Sequence, residues 1–157
     1  SRQESYKILI QNREEECALP FEYVTNWPLV ASVALVMGVF ASIVFLSSID
    51  GPVTAHHANS IYAASKGAVS AMAKSMAMDL VSKKIRVNCV LPGMTETPLI
   101  HGEAFTEDDL EKDKSQYPLK RYGRPEEIAW AIIYFLSDAS GFTTGASLVV
   151  DGGFTVL

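Results

Sequence analysis

The chain has 157 residues, 48% of them apolar and 20% charged, which suits a single globular domain with a buried core and excludes a disordered chain. A formal net charge of -5 leaves no basic stripe to neutralise phosphates, so a nucleic-acid partner is excluded. Cys17 and Cys89 have neither metal-ligand nor redox spacing, so no metal site is expected; with no cleavable signal peptide at the start, they point to a reducing, cytoplasmic setting.

In chain order, the acidic run Glu14-Glu15-Glu16 reads as solvated surface, and Tyr6 to Ile10 before it as a strand. Thr25 or Asn26 followed by Pro28 starts a helix expected to run to about Met37. From Trp27 to Leu46 there is no charged residue, about the length needed to cross a bilayer. Gly38 and the switch to Ala41-Ser42-Ile43-Val44-Phe45-Leu46 instead divide this run into a short apolar helix and a buried strand. Its flanks carry no positive-inside signal, so a membrane span is set aside.

Ala41 to Ser48 is expected to be a strand, Ile49 to Ser60 a loop, and about Ile61 to Val81 a helix buried through Val69, Met72, Ala73, Met76 and Leu80. Ile85 to Leu91 is the next strand, ended by Pro92-Gly93. Residues 94 to 122 form a largely polar excursion, with a short helix capped by Thr106 and begun by Glu107-Asp108-Asp109. Arg124-Pro125-Glu126-Glu127 opens a helix with a stripe of Ile128, Ile132, Phe135 and Leu136, and Ala146 to Val150 is a last strand before Asp151-Gly152-Gly153. This alternation predicts an α/β fold: a parallel sheet of about four strands with flanking helices, the strand at residue 6 joined to the one at 41 by a right-handed crossover.

Tyr62 and Lys66 stand one helical turn apart, and of the six tyrosines only Tyr62 has Lys at the fourth position after it. A phenol has an ordinary pKa of ~10, and an adjacent cation favours its ionised form, so such a pair can move a proton to or from an alcohol or ketone oxygen. On spacing alone, a surface tyrosine beside a solvated lysine is the better explanation of the pair. Context adds more: Ser47-Ser48-Ile49-Asp50-Gly51 and Pro92-Gly93-Met94-Thr95-Glu96-Thr97 leave successive strands at their carboxyl ends, where open α/β sheets bind ligands. Either serine also suits a strand-end turn, and Thr97-Pro98 a turn initiator. His56 and His57 fall in the loop or on the substrate rim, and Trp27 and Trp130 read as packing residues.

Taken together, Ser-Ser-x-x-Gly, Tyr-x-x-x-Lys, Arg86-Val87-Asn88 with Pro92-Gly93, Gly123 to Ile128, and Thr144-Gly145 to Asp151-Gly152-Gly153 resemble the short-chain dehydrogenase/reductase family, over Ala41 to Leu157. The resemblance implies a partial Rossmann-like sheet and hydride exchange between NAD or NADP and a small-molecule alcohol or ketone. It implies that Tyr62 is the general acid or base, that Lys66 assists the phenol and holds the cofactor ribose, and that Ser48, with Ser47 as the alternative, binds the substrate oxygen. Pro92, Gly93, Thr95 and Thr97 would meet the nicotinamide side of the cofactor, and residues 98 to 118 would form a lid.

The chain also departs from that family. Gly38 is the only glycine before Ala41, so the glycine-rich turn that receives the cofactor pyrophosphate has no counterpart, nor has the residue that selects NAD or NADP. Ile8 to Asn12 resembles the family's fourth strand, most of a long helix is missing between Phe40 and Ala41, and the relay asparagine would fall near Ala34 or Leu35, with Asn26 an outside candidate. The resemblance thus implies one domain over 1–157, with 1–40 a degenerate remnant of the cofactor-binding half and 41–157 the catalytic and substrate-binding half of a truncated or rearranged copy. The alternative is an inactive remnant serving as a folding fragment or oligomer partner, and a homo-oligomer is expected in either case.

Overall fold

Strand β2 (Ala41–Leu46) lies between two neighbours and sets the frame of the molecule. It pairs in parallel with β3 (Ile85–Pro92), Ala41 opposite Ile85 and Leu46 opposite Val90, and β3 pairs in parallel with β4 (Ser147–Val150). On the other side of β2, β1 (Ser32–Leu35) runs antiparallel, Ser32 opposite Phe45, giving a four-stranded sheet in the order β1-β2-β3-β4. The computed structural model describes residues 32–35, 41–98, 100 and 106–156, all within a unit spanning Ala31–Leu157. The strand expected at Tyr6 to Ile10, and with it the crossover to Ala41, lies outside the described residues, as do Cys17 and Trp27.

The parallel sheet is as expected, but the helix expected to reach Met37 is corrected, because Ser32–Leu35 is a strand. The run is apolar on every side rather than at helical spacing, so no face favours a helix, while the edge of β2 offers a ladder of backbone partners. The stretch from Leu35 to Ala41 is short enough for an antiparallel return and too short for a crossover. Trp27 to Leu46 accordingly yields strands at 32–35 and 41–46, and among the described residues no helix is long and apolar enough to cross a membrane.

Helices cover both faces of the sheet, which is why β3 is buried almost throughout. Helix α1 (Ser60–Leu80) lays Val69, Ala73 and Ala77 on Phe45, Val87, Cys89 and Leu91. Helix α3 (Pro125–Leu136) lays Ile128 and Phe135 on Val44 and Val90. Neighbouring residues thus serve opposite faces, as the strand repeat of two requires. Each fully buried Val, Leu or Phe contributes roughly 1.5–3 kcal/mol. The short helix α2 (Glu107–Lys114) begins at Thr106, whose hydroxyl accepts from Asp109 N at 3.2 Å, and buries Leu110 with Ile100, Tyr117 and Tyr122. Of the expected buried positions, Met72 is 40% exposed and Trp130 63%, so Trp130 is not a packing residue of this unit.

Two polar residues of β3 explain the Arg-Val-Asn run. Asn88 is fully buried; its Nδ2 donates to Thr143 O at 3.0 Å and its Oδ1 accepts from Ala146 N at 3.1 Å, which fixes where β4 begins. The Arg86 guanidinium donates to Phe135 O at 2.9 Å and Ser137 O at 3.1 Å, carbonyls at the end of α3 that also accept from Ser140 Oγ. These bonds hold α3 and β4 against β3, whose carboxyl end forms part of the site.

Candidate active site

The ladder between β2 and β3 continues past the end of β2: Ser47 N donates to Val90 O at 2.9 Å and Ile49 N to Pro92 O at 3.0 Å. This brings the Ser47-Ser48 segment beside Pro92-Gly93, so two of the expected groups share one end of the sheet. Gly51 then takes φ +98° against the first turn of α1, where a Cβ would stand 2.1 Å from Ala63 O. Only glycine accepts both that dihedral and that approach. The contact sets the serine loop against the helix turn that carries Tyr62 and Lys66.

The two serines differ sharply in commitment. Ser47 Oγ donates to Lys66 O at 2.8 Å and accepts from Ser70 Oγ at 2.9 Å, all within the buried interior. Its hydroxyl is therefore used up in joining β2 to α1. Ser48 Oγ accepts from Asp50 N at 3.2 Å, and among the described residues its own proton goes to no protein group. A donor remains free on Ser48.

Lys66 is 8% exposed, with Nζ 3.4 Å from Leu46 O and 5.6 Å from the centre of the Tyr62 ring. Burial draws the ammonium below its ordinary pKa, an effect countered in part by the nearby Cys89 sulfur. Burial likewise pushes the Cys89 thiol up, against the hydrogen bonds it makes and the charge of Lys66. A cation on the ring of Tyr62 and away from bulk water acts at short range in a medium that screens it weakly. Tyr62 itself is half-buried, and among the described residues its hydroxyl has no protein partner.

The facing wall comes from β3 and the segment after it. Gly93 N donates to Val150 O at 3.0 Å, and a Cβ on Gly93 would come within 2.9 Å of Asp151 Cβ, so the Pro-Gly turn and the Asp-Gly-Gly end are matched by close packing. Burial alone would raise the Asp151 carboxyl, yet bonds from Thr155 Oγ1 at 2.7 Å, Thr155 N at 2.8 Å and Gly153 N at 2.9 Å outweigh it and hold the group below its ordinary pKa. Thr95 Oγ1 donates to Gly93 O at 3.1 Å, and Thr97 O accepts from Ile100 N at 3.1 Å, while the Thr97 hydroxyl has no partner among the described residues. Met94 N donates to Tyr117 Oη at 3.3 Å; burial pushes the Tyr117 phenol up to about 12. The Tyr117 ring stacks on Phe154 at 4.7 Å, and Phe154 lies 6.0 Å from the exposed His56 ring.

Each residue expected at the site is thus found at the carboxyl end of β2, at the carboxyl end of β3, or on the first turns of α1. Sequence reasoning missed the Ser47–Ser70 pair and the Asp50 carboxylate, which accepts from three side chains in the loop before α1. Ser70 carried a signal, since it lies four residues after Lys66 and faces the same strand. The partners of Asp50 follow no fixed spacing.

Comparison with known proteins gives a consistent result. A family model described as enoyl-(acyl carrier protein) reductase matches residues 26–155. An NADP-dependent (R)-specific alcohol dehydrogenase of Lentilactobacillus kefiri is 43% identical over 120 residues, which is 75% of this chain and 47% of that protein. A 3-oxoacyl-[acyl-carrier-protein] reductase of Thermotoga maritima is 41% identical over 73% of this chain and 46% of its own length. Among solved structures, a short chain dehydrogenase family protein from Francisella tularensis superposes with a TM-score of 0.68 at 37% identity, covering 76% of this chain and 52% of that one. The chain belongs to the short-chain dehydrogenase/reductase family. It spans about half the length of the curated relatives it matches.

Proposed function

We propose that this chain carries the acid/base and nicotinamide-facing half of an NAD(P)-dependent oxidoreductase acting on a small-molecule alcohol or ketone. The observation that carries this reading is the division of labour at the strand end: Ser47 is committed to α1, while among the described residues the Ser48 proton goes to no protein group and the Tyr62 hydroxyl, on a ring lying under the buried Lys66, has no protein partner. Ser48 donates to the substrate oxygen and stabilises negative charge there. Tyr62 gives that oxygen its proton in reduction and takes it back in oxidation. The Lys66 ammonium stabilises the charge left on the phenol oxygen when the proton moves.

The residues present fit the nicotinamide-riboside end of such a cofactor. Among the described residues Lys66 Nζ has one backbone acceptor, at 3.4 Å, which leaves N–H donors for ribose hydroxyls. Pro92, Gly93, Thr95 and Thr97 would meet the nicotinamide side of the cofactor, with the Thr97 hydroxyl, unpartnered among the described residues, offered to a carboxamide. When bound, the nicotinamide exchanges a hydride with the substrate carbon. Within this reading, residues 1–40 are assigned as a degenerate remnant of the cofactor half and 41–157 as the catalytic half. The exposed Trp130 and Ile133 support a homo-oligomer, and the unpaired Cys89 suits a reducing, cytoplasmic compartment.

The test is a titration with NADH and NADPH followed by nicotinamide fluorescence, then turnover with a panel of ketones and alcohols. Saturable binding and turnover are expected, with Tyr62→Phe abolishing turnover and leaving cofactor affinity largely intact. No binding up to millimolar cofactor, or normal turnover by Tyr62→Phe, would reject the assignment.

A further inference from the structure

The loop that joins β2 to α1 is organised around one carboxylate. The side chain of Asp50 is 14% exposed, and its Oδ1 accepts from Thr54 Oγ1 at 2.7 Å and from His56 Nδ1 at 2.6 Å. Its Oδ2 accepts from Asn59 Nδ2 at 2.6 Å. Bonds of this length to an ionised acceptor are stronger than neutral ones. The backbone amide of the same residue donates to Ser48 Oγ at 3.2 Å. Asp50 therefore touches the Ser48 hydroxyl at one end of the loop and Asn59 at the other.

Asn59 is the N-cap residue of α1, and it makes no side-chain capping bond. An asparagine at that position ordinarily accepts from the open amides of the first turn, a bond worth about 1 kcal/mol. Nor does the first turn of α1 hold an acidic residue that would favour its dipole. The side-chain amide of Asn59 is turned towards Asp50 instead, while the backbone carbonyl of Asn59 accepts from Ala63 N at 2.8 Å. Helix α1 thus gives up its cap for a tie to the serine loop. Gly51, pressed against Ala63 O, makes the second tie between the same two segments.

From this we propose that Asp50 is a positioning residue, whose carboxylate holds Asn59 and thereby fixes the Ser48 hydroxyl against the helix turn bearing Tyr62. The inference rests on the roles proposed above for Ser48 and Tyr62. Asp50 touches neither substrate nor cofactor and acts only through those two. The Ser-Ser-x-x-Gly pattern leaves its position open, so the device belongs to this chain's own sequence.

Two measurements on this chain decide it. Amide hydrogen exchange followed by NMR needs no turnover: Asp50→Ala should speed exchange at Ala63 and Gly51 about tenfold or more and leave Val87 to Leu91 as they were. Asp50→Asn, which keeps the size but only one acceptor oxygen, should show the same pattern more weakly and serves if the alanine variant does not fold. In steady-state kinetics Asp50→Ala should lower kcat about tenfold with the cofactor KM unchanged, and should lower it by less than about twofold when Ser48→Ala is already present. Unchanged exchange at Ala63 overturns the proposal, as does a full tenfold loss in the Ser48→Ala background. Absence of turnover in the unsubstituted chain counts against the proposed function, and the exchange measurement then decides the role of Asp50 alone.

Discussion

Gly51 is where sequence, backbone and site meet in one residue. Its φ of +98° strains any residue with a side chain, and a Cβ would sit 2.1 Å from the carbonyl oxygen of Ala63 in the first turn of α1. That oxygen is backbone and cannot swing aside, so the loop or the helix must move. Gly51→Ala is expected to cost about 2–4 kcal/mol, read as a lower urea midpoint at unchanged m-value. A shift under about 0.5 kcal/mol would show that the loop gives way freely and that the contact does not fix the site. The residues proposed for the chemistry were legible because their relations are local: Tyr62 and Lys66 share a helix face, and Ser48 lies just past the end of the preceding strand. The choice between Ser47 and Ser48 was less so. It rests on Ser70 and on the carbonyl of Lys66, which reach Ser47 only once α1 has docked.

Among the elements, α3 has the start most clearly written in the sequence. Glu127 Oε2 accepts from Arg124 N at 2.8 Å, and its carboxylate takes a two-pronged bond from Arg121 at 2.7 and 2.8 Å. Arg121, then the Arg124 amide, hold the Glu127 carboxyl at about 2, below the ordinary 4.5, against a small opposing effect of burial. The folded chain therefore binds this proton less readily than the unfolded chain. Stability from this group is complete above pH 4.5 and is lost as pH falls towards about 2. Thermal melts across that range should show a falling midpoint, and Glu127→Gln should flatten part of the fall. Because the pair is solvent-facing, added salt should shrink the difference between the two proteins, and an identical acid profile for both would contradict the assignment. Helix starts were readable because Thr106 and Pro125 act within a single turn. The misread helix at Ser32–Leu35 shows the opposite case: an apolar run has no periodicity of its own, and the edge of β2 decided its conformation.

At the scale of the whole molecule, the exposed apolar surface is the feature the packing of this unit leaves unexplained. Trp130 and Ile133 stand three apart on α3, 63% and 58% exposed, with Tyr134 beside them at 42%. The inner side of the same helix is already satisfied by Val44 and Val90, so this stripe serves nothing within the described unit. Its chemistry, aromatic and aliphatic with no charge among the three, is that of an interface core rather than a solvated face. A specific symmetric pair needs about 800 Å² from each partner, more than three side chains supply. Phe142, fully exposed just after α3, and Leu148 on the edge strand β4 are the apolar groups available to extend it. Sedimentation of the chain at tens of micromolar should therefore show a self-associated species. Replacing Trp130 and Ile133 together by Glu should return it to a monomer, with the thermal midpoint lowered only by the loss of association, because neither side chain is part of the core. If the unsubstituted chain already sediments as a monomer, or if the double variant associates as before, the stripe is not a contact between copies.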